Sequence, residues 1–351
     1  MKIGFDISML AYKGSGVANY TFNLVRNLLK YDRRNEYRLF YSSLRKPENF
    51  YYLDELKELG AKVYNLPIPH SGLKLLWNKF HILPIEWILG DLDFFLSSDY
   101  LRPPLSQYTI GLTMIHDLVW KLHPEWHTED IVRFHDKKMQ WTIEKNDIIF
   151  VPSHSTKSDL VKLFPRTKRE NKIYVIYEGI DERYKPIKDK KELKKILEKY
   201  RIRYPKKYLL YVGAIEPRKN LETAVISFYS LLKDKKYYDY EFLIIGRAGW
   251  KNEQIFGLIK ILQLEKKVKF VGFVEDDDLP YFYNAASLII YLSHYEGFGL
   301  PPLEAARCGK PSLIYKNSSL KEVFPKSYPF AEEGNEIATL KSILENKVKI
   351  N

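Results

Sequence analysis

Two glutamates, Glu296 and Glu304, stand eight positions apart around the run GFGLPPL, and their types and spacing are the first sign of chemistry in this 351-residue chain. Paired acids first suggest a general acid and a general base. The residues between them change that reading. An apolar run, LIIYLSH, ends at about His294; Gly297 and Gly299, with Phe298 between them, then let the backbone turn closely and leave N–H groups unobstructed. Leu300 leads into Pro301 and Pro302, whose fixed φ suits a first helical turn; LEAARC continues the helix and Gly309 stops it. A strand, a glycine loop and a helix N-terminus make a site for an anion such as phosphate. Carboxylates repel phosphate, so their use here is to accept charge-assisted hydrogen bonds from vicinal hydroxyls. Glu296 is then suited to a hexose, and Glu304, about a turn into the helix, to a ribose.

Positive charge for a phosphate is found in VGAIEPRKNLETAV, which follows the run YLLYVGAI and opens a helix that Asn220 can cap. Arg218 offers a fork and Lys219 a point charge, enough to neutralise a diphosphate leaving group. Two further segments are weaker signals. Gly14 and Gly16 lie between strand and helix in SMLAYKGSGVANY, and His116 follows a strand in TMIHDLVW. The Asp91–Asp93 pair in DLD precedes its strand and reads as a turn, and Asp276 to Asp278 read as the cap and first turn of a helix. No cluster of His, Cys and carboxylates suggests a metal, so metal-independent chemistry is expected.

The elements that must position these residues alternate from end to end. KIGFDIS, YRLFYSS, KVYNLP, DFFLSS, TIGLTMIH, DIIFVPS and KIYVIYEG read as strands in the first half; YLLYVGAI, EFLIIGRAG, KVKFVGFV, LIIYLSH and PSLIY do so in the second. Several are nearly continuous apolar runs, as in parallel strands covered on both faces. Between them lie helical patterns such as VANYTFNLVRNLLKY and LETAVISFYSLLK. The fold class is therefore α/β: two Rossmann-like, doubly wound parallel-sheet domains facing a central cleft, with ligand loops at the carboxyl ends of the strands. The charge-dense stretch 182–207 separates the two series, so the expected domains are 1–181 on the acceptor side and 208–351 on the donor side, joined by that linker.

Bulk properties bound the setting. The net charge of +12 is spread as +4 over residues 1–180 and +8 over 181–351, which suits anionic small ligands or an anionic membrane surface. No nucleic-acid motif accompanies it, so no nucleic-acid partner is expected. The single cysteine, Cys308, excludes an internal disulfide, and no run approaches the length of a membrane-spanning helix. The expected localisation is cytoplasmic. SGLKLLWNKFHILPIEWILG, with Trp77, Trp87, Phe80, Lys74 and Lys79, is read first as domain core and alternatively as a peripheral contact at the inner membrane face.

EGFGLPPLE resembles the E-x7-E signature of retaining GT-B glycosyltransferases, closest to family GT4, a group rich in mannosyl- and glucosyltransferases. The resemblance covers nearly the whole chain. It implies that Glu296 contacts the transferred sugar and Glu304 the nucleotide ribose, and that Arg218 and Lys219 bind the diphosphate. It assigns Gly297, Phe298, Gly299 and Leu300 to the donor loop, Gly14 and Gly16 to a glycine loop opposite the donor phosphates, His116 to the donor sugar or phosphate, and the backbone at Val274 to the base. The implied activity is transfer of a mannose- or glucose-type hexose, with retention, from a GDP-, UDP- or ADP-linked donor to a glycan or lipid-linked acceptor. No cofactor is implied beyond the nucleotide sugar as co-substrate.

After SSLKEVF the usual final crossing helix is expected to be short or missing. A catalytically weak nucleotide-sugar-binding scaffold therefore stands as a rival reading, and a nucleotide-sugar 2-epimerase, another enzyme type on the GT-B fold, stands as a second. A dehydrogenase is not expected, because neither first-strand loop completes G-x-G-x-x-G with an acid downstream.

Overall fold

The computed structural model describes residues 1–12, 14–42, 51–97, 101–170, 172–247 and 253–346; the ends of four expected segments (Ser43, Ser98, Ala248–Gly249 and the last five residues) lie outside them. The chain divides into two compact units, Met1–Tyr177 and Glu178–Asn351. Each holds one parallel sheet.

In the first unit the strands are β1 (Lys2–Asp6), β2 (Glu36–Ser42), β3 (Lys62–Leu66), β4 (Phe94–Ser97), β5 (Ile110–Met114), β6 (Ile148–Val151) and β7 (Ile173–Val175). Their order is β3-β2-β1-β4-β5-β6-β7, every pair parallel. The order reverses direction between β1 and β4, which makes their carboxyl ends the place where loops diverge and leave room for a ligand. The loop after β1 carries Gly14, and the helix Gly16–Tyr31 that follows is capped by Ser15, whose side chain accepts from the Ala18 N–H. Apolar positions at helical spacing, among them Ala18, Phe22, Val25 and Leu29, bury this helix against Phe5, Ile7 and Leu39.

The second unit contains β8 (Tyr208–Val212), β9 (Glu241–Ile245), β10 (Val268–Gly272), β11 (Leu288–Tyr291) and β12 (Ser312–Ile314), in the order β10-β9-β8-β11-β12. All are parallel. YLLYV and LIIY are buried at every position, which is why they carry no alternation in sequence. Here the reversal lies between β8 and β11. Gly246 permits the tight junction beside β8: a Cβ there would lie 2.0 Å from the Gly213 carbonyl oxygen.

The stretch 182–207, expected as a linker, belongs to the second unit. It contains a helix, Lys190–Lys199, started by Asp189, whose carboxylate accepts from the N–H groups of Lys191 and Glu192. Its lysines and glutamates occupy the outer face, while Leu193 and Leu197 are buried. Asp278, expected as a helix cap, makes no capping bond; its carboxylate holds Lys199 at 2.6 Å and the Tyr200 hydroxyl at 2.7 Å, tying this helix to Leu279–Ala285.

Candidate active site of the second unit

The two loops that leave β8 and β11 flank the reversal of strand order, and both carry predicted site residues. After β8 the chain forms a single turn, Pro217–Lys219, and then the helix Leu221–Leu232; Asn220 adopts a left-handed conformation at φ 51° to join them. Asn220 does not cap that helix; its side-chain oxygen accepts from the Thr223 hydroxyl at 2.7 Å. After β11 the chain runs through Glu296 to the helix Leu300–Arg307, entered through Gly299 at φ 97°. The sequence EGFGLPPLE thus folds as expected into loop and helix start. Gly299 is required twice over, by its left-handed backbone and because a Cβ would meet Leu320 Cδ2 at 2.6 Å. A backbone bond from His294 N–H to the Arg218 carbonyl, 2.9 Å, fastens one loop to the other.

The charged residues meet at this junction. Arg218 donates to Glu296 Oε2 at 3.0 Å, and Lys219 Nζ donates to Glu296 Oε1 at 2.7 Å and to the Tyr291 hydroxyl at 2.7 Å. Arg218 also grips Glu216 Oε1 at 2.8 Å. Sequence reasoning kept Glu296 apart from the two cations; the structure joins all three. Glu216, two residues before Arg218, was missed, though its position was a readable signal. With Glu216 included the cluster holds two cations and two carboxylates, so its formal charge sums to zero.

Burial sets the electrostatics. It pushes the Glu296 carboxyl up, but Lys219 and Arg218 outweigh it and hold the group down to about 2. Burial and the Arg218 charge lower Lys219, against the pull of Glu296 and Glu216. An ion cluster withdrawn from water in this way keeps its charges only while its members stay together.

The loop is pinned from a third side. Glu296 N–H donates to Ser318 Oγ at 2.9 Å, Ser319 Oγ donates to the carbonyls of Glu296 and Phe298, and Asn317 Nδ2 donates to those of Ser293 and His294. Gly297, Phe298 and Gly299 are buried in this frame and Leu300 is half-buried. No sequence signal marked Asn317–Ser319, because the acceptors are backbone carbonyls.

Glu304 lies apart from the cluster. It is half-buried and accepts from the Tyr283 hydroxyl at 2.7 Å. Burial pushes its carboxyl up to about 7, against the hydrogen bonds of Tyr283 and Tyr184. Two glutamates one loop apart are thus opposed in titration, the first a firm anion and the second near neutrality. Val274 is buried in the core of this unit. Cys308 is buried, its thiol pushed up to about 12 by burial, which removes it as a nucleophile.

The remaining predicted residues belong to the first unit. Gly14 turns at φ 77° and Gly16 begins the following helix. His116, just past β5, meets the Tyr20 ring edge-on at 4.8 Å, and the Tyr20 hydroxyl reaches Met114 Sδ at 3.6 Å. The glycine loop's helix and the His116 loop therefore adjoin. Among the described residues no group of three His, Cys, Asp or Glu is arranged to hold a metal ion, and no helix is long and apolar enough to cross a membrane.

The chain is similar to known glycosyltransferases in sequence and fold. Residues 192–343 match the family profile "Glycosyl transferases group 1". The chain is 28% identical over 336 residues to the O-antigen chain mannosyltransferase B of Escherichia coli, covering 92% of this chain and 84% of that protein. It is 31% identical over 315 residues to the serotype-specific mannosyltransferase WbdA of the same species, covering 86% of this chain but only 37% of that longer protein. In fold it is similar to Anabaena Alr3699/HepE, solved in complex with UDP and glucose, with a TM-score of 0.68 at 18% identity over 99% of this chain and 89% of that one. The chain thus carries a glycosyl transferases group 1 domain over residues 192–343 and has the GT-B fold of two Rossmann-like parallel-sheet domains.

Proposed function

We propose that this glycosyltransferase moves a hexose of mannose type from a nucleotide diphosphate sugar to a glycan or lipid-linked acceptor, with retention of configuration, in the assembly of a surface polysaccharide. The observation that carries this reading is the meeting of Arg218 and Lys219 with Glu296 where strand order reverses. The mannose-type donor is supported by the two mannosyltransferase relatives.

In this reading the donor diphosphate takes over bonds from Arg218 and Lys219, beside the start of the Leu300–Arg307 helix. Its two prolines carry no N–H, so of the first four positions only Gly299 and Leu300 have a donor to offer at that turn. Glu296, released from part of its cation contact, accepts from hydroxyls of the transferred sugar; Glu304 accepts from the ribose, and the Val274 backbone meets the base. The anomeric carbon–phosphate oxygen bond breaks, the departing diphosphate takes the proton of the acceptor hydroxyl, and the acceptor oxygen bonds to the same face of the sugar. This route asks the protein for positioning and charge stabilisation rather than a nucleophile. Arg218 and Lys219 supply the charge a metal would otherwise bring, so transfer is expected without one. The roles of Gly14, Gly16 and His116 rest on the resemblance.

Transfer from GDP-, UDP- and ADP-linked hexoses to an oligosaccharide acceptor, followed by product anomer analysis, tests the proposal. Arg218→Ala is expected to lose transfer by two to three orders of magnitude, as for removal of a donor to developing charge. Near-normal transfer by that variant, or an inverted product, sinks it. Epimerised nucleotide sugar without acceptor would favour the epimerase reading instead.

A further inference from the structure

We infer that the segment Leu75–Trp87 of the first unit is a docking surface for an anionic phospholipid bilayer. Four large apolar side chains between positions 75 and 87 are exposed: Leu75 at 47%, Phe80 at 55%, Ile82 at 52% and Trp87 at 77%. Water exposure of this much apolar surface in one short segment is unfavourable, and such concentrations mark interaction sites.

The exposure is built in, because the same segment supplies a buried anchor. Trp77 is fully buried with Leu73, Ile85 and Leu89 against Phe40 and Phe95 of the sheet. Its indole N–H donates to the Leu83 carbonyl at 3.2 Å. The Trp141 indole donates to the Asn78 carbonyl at 3.0 Å, and its ring stacks on His81 at 3.8 Å. His81 and Leu83 take positive φ, 51° and 69°, which reverses the chain between Phe80 and the Trp87 helix. Phe80, Ile82 and Trp87 are thus displayed by a braced platform rather than by a loose loop. The expectation of domain core holds for Trp77 and not for Trp87.

Charge names the partner. Lys74 and Lys79 lie within or beside the apolar residues; Lys79 Nζ is 5.4 Å from the Phe80 ring centre, and Lys74 Nζ is 4.0 Å from that of Phe134. Lys145 stands 5.9 Å from the Trp141 ring. The segment's one acid, Glu86, accepts from the Ser106 backbone N–H at 2.9 Å. An exposed tryptophan with flanking lysines matches the headgroup layer of an anionic bilayer, where the ring enters the acyl boundary and the ammonium groups meet phosphate. A protein partner of opposite charge would satisfy the lysines but leave the indole without an apolar layer.

Cosedimentation of the intact chain with phosphatidylglycerol-containing vesicles, against pure phosphatidylcholine vesicles, tests this. Binding to the first and little to the second is expected, with roughly tenfold or greater loss in Phe80→Ser/Trp87→Ser. Lys79→Glu should weaken binding to anionic vesicles while keeping its unfolding midpoint, since Lys79 is exposed. Brominated acyl chains should quench tryptophan emission of the parent and not of Trp87→Phe. Failure of the parent to bind anionic vesicles overturns the inference, as does equal binding by the serine pair. Concentration-dependent dimerisation that Trp87→Ser abolishes would assign the patch to a second copy and overturn it too.

Discussion

Replacing Glu296 with glutamine keeps the shape of the side chain and removes its charge, which isolates what the carboxylate does in the buried cluster. The parent cluster sums to zero; the variant holds one uncompensated positive charge, with Lys219 keeping only the Tyr291 hydroxyl and the glutamine oxygen as acceptors. The magnitude follows from titration. A carboxyl held at about 2 in the folded chain against an ordinary value of 4.5 contributes about 3 kcal/mol, at 1.36 kcal/mol per unit. The sign is that of a depressed acid: the contribution is present above the unfolded value near 4.5 and is lost as pH falls through about 2. Removing one partner of a buried pair costs about 3–5 kcal/mol by independent measure, so the two agree. For a unit of this size that lowers the unfolding midpoint by roughly 6–12 °C near pH 7. Differential scanning calorimetry reads it. A nucleoside diphosphate should then raise the midpoint of Glu296→Gln more than that of the parent, because the phosphate supplies the missing anion. A variant with the parent's midpoint, or one that nucleotide stabilises no better, refutes the reasoning.

Other outcomes follow from the same geometry. Glu216→Gln leaves Arg218 its bond to Glu296, so its loss of turnover should be smaller than that of Arg218→Ala in the same transfer assay. Glu304, pushed up to about 7, confers stability that is complete below about 4.5 and lost as pH rises through 7. Calorimetry should therefore find Glu304→Gln more stable than the parent at pH 8 and close to it at pH 4.5, and nucleotide-sugar affinity of the parent, by isothermal titration, should fall as pH drops below 7. Glu296→Ala should damage turnover more than Glu304→Ala, since the proposed function sets the first against the sugar that moves and the second only against the ribose. Gly299→Ala, forced to φ 97° with its Cβ against Leu320, should cost about 1–3 kcal/mol in denaturant unfolding.

Much of this was legible in the residues, and for identifiable reasons. Strands such as YLLYV and LIIY lie in parallel sheets covered on both faces, so they appear as unbroken apolar runs, and their shortness separates them from helices. The Glu296–Glu304 loop was readable because glycine and proline restrict the backbone in ways other residues do not. What could not be read is pairing through space. Nothing distinguishes Tyr291 or Tyr283 among 27 tyrosines until the fold sets them against Lys219 and Glu304. Asn317–Ser319 hold the loop through its carbonyls, which every sequence has. The stretch 182–207 reads as a linker because its charge density masks the helical spacing of Leu193 and Leu197.

The zero-sum charge of the β8–β11 junction bears on how long a nucleotide stays. In the proposed function, because Arg218 and Lys219 already hold carboxylates, a diphosphate would gain only the difference between two sets of ion pairs. Glu296 and Glu216, ready to reclaim the cations, would act as internal competitors that shorten the residence of the spent nucleotide.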